Sequence, residues 1–109
     1  GADLVVAVTE PTLSGSHDLK RVIELAGHFS IPLGVVVNKW NLNEDMTGTI
    51  EEMVASKGLA MFGKIRYDRI VTEAMVHGKS IVEYSDCPVT EDIRNVWAKV
   101  SERLETAVE

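Results

Sequence analysis

An α/β fold built on a parallel sheet is what this chain predicts, with its elements in the order βαβαβαα. Three observations carry the prediction. Leu4-Val5-Val6-Ala7-Val8 and Leu33-Gly34-Val35-Val36-Val37 are short, continuous apolar runs, the pattern of strands buried on both faces. The segments between them repeat apolar residues at helical spacing with charged residues on the opposite face. Strands alternating with helices give a parallel sheet joined by right-handed crossovers, covered by helices in a three-layer-type arrangement.

Taken in order, the first strand runs from Leu4 to Val8 and ends at Thr9-Glu10-Pro11, because proline has no N–H for a ladder. Ser14-Gly15-Ser16 reads as a loop, with Ser16 as N-cap of a helix carrying Leu19, Val22, Ile23 and Ala26. That helix is expected to reach Gly27 or His28. Ile31-Pro32 leads into the second strand, Leu33 to Val37. Asn41 to Gly48 is a polar loop, and Thr49 with Glu52 three residues on reads as a capping box before Ile50, Met53 and Val54. Gly58 stands where the residue after a helix belongs. Leu59 to Ile65 is the third strand, interrupted by Gly63.

Asp68 is positioned to cap a helix carrying Val71, Ala74 and Met75, which Gly78 ends. Ile81 to Tyr84 is a short extended or turn segment. Thr90 is the expected N-cap of a last helix bearing Ile93, Val96, Trp97, Val100 and Leu104. Met46, Met53, Met61 and Met75 read most simply as core.

The 109 residues fit one domain, and 45% apolar with 26% charged content is that of an ordinary globular protein. The net charge of −6 is spread along the chain, which argues against nucleic-acid binding through a basic face. No apolar run approaches the ~18 residues of a membrane span. Cys87 is the single cysteine, so an internal disulfide or a cysteine-held cluster is excluded, and a cytoplasmic setting fits. His17, His28 and His77 lack metal-ligand spacing. Gly1-Ala2-Asp3 runs straight into a strand of buried character, from which we expect a piece of a longer protein. With the strands in sequence order, both crossover helices cover one face and the first strand becomes an unprotected edge, which favours the same expectation.

Ligands of open parallel sheets bind beyond the carboxyl ends of the strands. Those ends read Thr9-Glu10, Asn38-Lys39 and Arg66-Tyr67-Asp68. An Asn38 amide offers a donor and an acceptor that match the N6/N7 edge of adenine; the alternative is that it closes the strand-to-loop turn. Lys39 can lay its stem along a ring or hold the loop by bonding back to carbonyls. Asp68 can cap a helix or accept from a base amino group, and Glu10 is either near phosphates or solvated. Trp40 and Tyr67 either shield a base or pack. Guanine-specific sites carry Asp where Asn41 stands. The neutral side chain forgoes a charge-assisted hydrogen bond of about 1.5–3 kcal/mol, so adenine is favoured over guanine. The sequence has no glycine-rich loop ending in Gly-Lys-Ser/Thr, hence no phosphate cradle of its own.

Three stretches together resemble the MinD/ParA/Mrp-type deviant phosphate-loop ATPases. They are Gly1 to Pro11, Gly34-Val35-Val36-Val37-Asn38-Lys39 and Gly63-Lys64-Ile65-Arg66-Tyr67-Asp68. The first is similar to the strand after the family's second aspartate motif, the second to its adenine-binding Asn strand. The third is similar to the Gly-x-Ile-Pro-x-Asp turn that closes over the base, here continued by Glu73-Ala74 and Gly78-Lys79. The wording from Val8 to Gly15 looks closest to a microbial branch whose members often carry a ferredoxin-like insert upstream.

The resemblance implies a C-terminal, phosphate-loop-NTPase-like half domain that binds ATP or ADP within a homodimeric parent protein. It implies base recognition by Asn38 with Lys39, by the backbone around Ile65 and Arg66, and by Asp68. Arg66 replaces the family's proline, from which we expect a looser turn. The phosphate loop, the magnesium-handling aspartates and the switch segments would lie in an N-terminal half, the expected partner of this piece. Without them the chain is expected to hydrolyse nothing. The competing expectation is a stand-alone α/β interaction or receiver-like regulatory module, although Thr9-Glu10 supplies only one acid where a receiver needs a pair. A GTPase-like half domain is disfavoured by Asn41.

Overall fold

The structure, a computed structural model, describes residues 4–68 and 88–108. The helix expected after Asp68, the Ile81 to Tyr84 segment, His77, Met75 and Cys87 lie outside the described residues. Strand β1 is Val5–Thr9, helix α1 Leu13–His28, strand β2 Leu33–Asn38, helix α2 Glu44–Ser56, strand β3 Ala60–Ile65 and helix α3 Pro88–Val108. A short 3-10 turn, Trp40–Leu42, links β2 to α2. The three strands form one parallel sheet, as the pattern of apolar runs predicts, and they lie in sequence order, β1-β2-β3.

Registers explain how the core divides. β1 and β2 pair from Val5 with Leu33 to Thr9 with Val37, and β2 pairs with β3 from Gly34 with Ala60 to Asn38 with Ile65. Alternation then sends Leu33, Val35 and Val37 to one face, where they meet Leu19 and Ala26 of α1 and Ile50 and Val54 of α2. Both right-handed crossovers thus land on the same side. The opposite face places Val36 and Phe62 against Val100 of α3, with Leu4, Ala60, Ile65 and Val96 around them. Met46, Met53 and Met61 pack at the margin of the first core, as expected.

Phe62 is an extra residue in the β2–β3 pairing, since Val35 partners Met61 while Val36 partners Gly63. This is a bulge, and Gly63 at φ +146° supplies the conformation that it needs. The interruption foreseen at Gly63 is therefore a local insertion within a continuous strand. The Phe62 ring in turn lies over Gly34, where a Cβ would collide with it.

Five expectations are corrected. β1 is not buried on both faces: Val6 is 39% and Val8 64% exposed. α3 covers Val36 and Phe62 but leaves these two β1 side chains open, and an apolar run cannot reveal whether its own chain supplies a cover. α1 starts at Leu13 with Thr12 as its cap, the Thr12 hydroxyl accepting from the Gly15 N–H at 2.8 Å. Ser16 is instead buried inside the first turn.

Likewise α2 is capped by Asn43, whose Oδ1 accepts from the Met46 N–H at 3.0 Å, and Glu44 and Asp45 complement its positive end. Thr49 lies within the helix, its hydroxyl donating to the Asp45 carbonyl at 3.1 Å. In both cases an earlier capping residue was available and lengthened the helix. Finally, α3 begins at Pro88 with Thr90 buried, and Trp97 is 67% exposed rather than core. Proline is well suited to a first helical turn, where its missing N–H costs nothing.

Candidate functional site

The parallel sheet brings the carboxyl ends of all three strands to one edge, with β2 in the middle. Asn38 is the last residue of that central strand, and its Cα partner is Ile65. Among the described residues, no hydrogen bond engages the Asn38 side-chain amide. The chain then turns sharply, because Lys39 adopts φ 58°, ψ 39° and the Leu42 N–H donates to the Lys39 carbonyl at 3.1 Å. A left-handed conformation is uncommon for a side chain with a Cβ and costs about 1–2 kcal/mol.

Lys39 Nζ reaches Glu10 Oε1 at 3.3 Å, tying the end of β2 to the end of β1. Both side chains are about half exposed, so the pair contributes about 0–1 kcal/mol. The bond back to loop carbonyls expected of Lys39 is not what forms; its ammonium pairs with the Glu10 carboxylate instead. Glu10 is correspondingly paired. Thr9 beside it is buried, with its hydroxyl donating to the Glu10 carbonyl at 3.3 Å.

Residues 66–68, which follow β3, are fastened from two directions. On one side the Asn41 Oδ1 accepts from the Tyr67 N–H at 2.7 Å, and the Asn41 Nδ2 donates to the Tyr67 carbonyl at 3.2 Å. On the other, Arg66 forks onto Asp92 of α3 through Nε at 2.8 Å and Nη2 at 3.1 Å, while the Arg66 backbone N–H donates to the same carboxylate at 3.1 Å. The looser turn expected from arginine in place of proline is not what forms. A proline would restrict φ, whereas Arg66 is held by hydrogen bonds to Asp92.

The electrostatics follow. The hydrogen bond to Asp92 raises the Arg66 guanidinium above its ordinary value against opposing desolvation, and the charges of Asp92, Glu91 and Asp68 add to it. Burial by itself pushes the Asp92 carboxyl up. The hydrogen bonds from the Arg66 side chain and backbone, with its charge, outweigh that and hold it below the usual carboxylate range.

These contacts limit what each predicted residue can present. Asn38 and Ile65 are brought together; Lys39 points its ammonium to Glu10. Arg66 has committed its side chain and N–H to Asp92, leaving its carbonyl. Asp68 is half-buried beside this segment. Trp40 packs at the margin of the α1–α2 core with Lys64 Nζ 4.7 Å from its ring centroid, so it serves packing, while Tyr67 is 45% exposed. Asn41 reads the Tyr67 backbone, a role that base-selection reasoning missed. Asp92 carried no signal at all, being one acid among several on a helix.

Two hollows accompany the site. A groove of about 460 Å³ follows β1 and the start of α1, including Val6, Val8, Gly15 and Val22. A smaller one, about 260 Å³, lies at the outer edge of β3 between Trp40, Lys64, Arg66 and Asn95. Among the described residues no three His, Cys, Asp or Glu side chains gather. Nor is any described helix long and apolar enough to cross a membrane.

Comparison with known proteins supports the fold. No protein-family model matches the chain. An uncharacterised protein of Methanocaldococcus jannaschii is 32% identical over 85 residues, a match covering 78% of this chain and 27% of that protein. Among solved structures, the MinD cell division protein of Aquifex aeolicus superposes with a TM-score of 0.74 at 21% identity, covering 93% of this chain and 44% of that one. The cell division ATPase MinD of Pyrococcus furiosus gives 0.72 at 16%, covering 93% and 43%. The Aquifex MinC:MinD complex gives 0.74 at 21%, covering 93% and 43%. The chain therefore has a MinD-like, P-loop-type α/β fold and spans less than half the length of each of these proteins.

Proposed function

We propose that this chain is the base-binding half of an adenine-nucleotide site in a MinD/ParA-type ATPase. The observation that carries the reading is the placement of Asn38. It ends the central strand, opposite Ile65, with its amide engaged by no described residue and a doubly fastened segment alongside. One amide donor and one acceptor complement the adenine edge. Asp68 accepts from the base amino group, Ile65 and the Arg66 carbonyl line the wall, and Lys39 keeps the turn in place.

The phosphates are held by another part of the same protein. That part precedes this chain and pairs along the open edge of β1, covering Val6 and Val8. Two facts support it: the exposed apolar edge, and the share of under half that this chain covers in each MinD structure. The intact protein is then a nucleotide-gated homodimer working in the cytoplasm. The chain alone is inactive, because phosphoryl transfer depends on electrostatic stabilisation that these residues do not supply.

Calorimetry on the intact protein with ATP and GTP, before and after Asn38→Ala, tests the reading. The expected result is tighter binding of ATP and a loss of roughly tenfold on substitution, the effect of one or two hydrogen bonds. Equal affinity for both nucleotides, unmoved by Asn38→Ala, would overturn it. The apolar edge of β1 also suits a stand-alone interaction module, and an intact protein that binds no nucleotide is the outcome that reading demands.

A further inference from the structure

We propose that Asn41 and Asp92 are positioning residues that together preset residues 66–68 as the rigid wall of the base site. The inference rests on the base-binding reading above and names two residues which that reading does not use.

Asn41 is bound to Tyr67 in the manner of a strand partner. Its amide satisfies both main-chain groups of one residue, a donor to the carbonyl at 3.2 Å and an acceptor for the N–H at 2.7 Å. This requires asparagine specifically. An aspartate still accepts from the N–H but sets a second oxygen against the Tyr67 carbonyl, where only a donor is tolerated. Asp92, on the helix that covers the opposite face of the sheet, accepts from the neighbouring N–H of Arg66 and from both guanidinium contacts. The main chain of two consecutive residues is thus held by side chains from two different elements, the turn after β2 and the first turns of α3.

The Asn41 turn hangs directly from Asn38 through Lys39. The base reader and one of the two wall fasteners are therefore three residues apart on a single turn. A wall already ordered before the ligand arrives spares the cost of ordering it on binding. The uniform expectation for Asn41, selection of adenine by lacking a charge, becomes unnecessary, because its amide is spent on Tyr67.

The test measures the affinity of the intact protein for ATP, GTP and inorganic tripolyphosphate, alongside amide hydrogen exchange at Arg66 and Tyr67. In the wild-type protein ATP binds more tightly than tripolyphosphate. Asn41→Asp and Asp92→Asn are each expected to lower ATP affinity about tenfold, leave tripolyphosphate affinity unchanged and speed exchange at Tyr67 or Arg66 respectively. A merely structural role would weaken both ligands together. If Asn41→Asp instead shifts preference toward GTP, Asn41 reads the base and the inference is wrong. It is also wrong if the ratio of ATP to tripolyphosphate affinity survives both substitutions. A wild-type protein that binds the two equally defeats the base-binding reading itself, and this inference with it.

Discussion

Arg66 and Asp92, 26 positions apart, are joined at the Arg66 backbone N–H, at Nε and at Nη2, with distances of 3.1, 2.8 and 3.1 Å. The contact fixes the end of β3 to the first turns of α3, so the segment beyond the sheet inherits the rigidity of a helix packed on the core. Forked guanidinium–carboxylate pairs have directional as well as Coulombic preference, which is why this one sets backbone position.

Asp92 contributes a pH dependence to the stability. Its carboxyl is held below the usual range in the folded chain, so the unfolded chain takes up the proton first as pH falls. The stabilisation is complete above the ordinary aspartate value of about 3.9 and is lost as pH falls through the lower folded value. Urea unfolding of the wild type and of Asp92→Asn is expected to show a gap that is widest near neutrality and closes below about pH 4. A gap constant across that range contradicts the contact.

Lys39→Gly sets two effects against each other. Glycine relieves a left-handed residue costing about 1–2 kcal/mol but removes a half-exposed ion pair worth about 0–1. The expected outcome is a protein as stable as the wild type or up to about 2 kcal/mol more stable, read from the unfolding midpoint. Clear destabilisation would mean that the Glu10 contact matters more than its exposure suggests.

Gly34→Ala brings a methyl group into the Phe62 ring. Overpacking of this kind costs about 1–3 kcal/mol. Combining it with Phe62→Leu is expected to recover part of the loss, and strict additivity of the two substitutions in a double-mutant cycle would show that the ring moves aside freely.

Ile50 is fully buried between α2 and the sheet, whereas Trp97 is 67% exposed. Ile50→Ala is expected to cost about 2–5 kcal/mol, and Trp97→Ala no more than about 0.5, despite the larger side chain. Thermal unfolding of both variants distinguishes them.

Val8 is 64% exposed on a strand at the sheet edge. Such edges template pairing with other chains. Val8→Lys in this chain is expected to reduce self-association in sedimentation experiments while changing stability by less than about 0.5 kcal/mol. Unchanged association would place any self-contact elsewhere.

Much of this molecule is legible in local pattern. The apolar runs around Val6 and Val36, the helical stripe of Leu19, Ile23 and Ala26, and the alternation of strands with helices determine a parallel sheet, whereas its order β1-β2-β3, which sets α1 and α2 on one face, is decided by packing. The polar strand ends that gather at one edge follow from the same rule. Where two caps compete, as Thr12 with Ser16 or Asn43 with Thr49, local chemistry permits both and the longer helix is the one that forms. The fastening of residues 66–68 belongs to another class. Asn41 with Tyr67 and Arg66 with Asp92 are each separated by 26 residues, and neither pair has a periodicity or motif to announce it. Only when the sheet has aligned its strand ends and α3 has docked do these side chains meet, because a hydrogen bond depends on angles and distances that a sequence pattern does not contain. The same holds for Val6 and Val8: their apolar character is written in the chain, but whether anything covers them is decided by the packing of other elements.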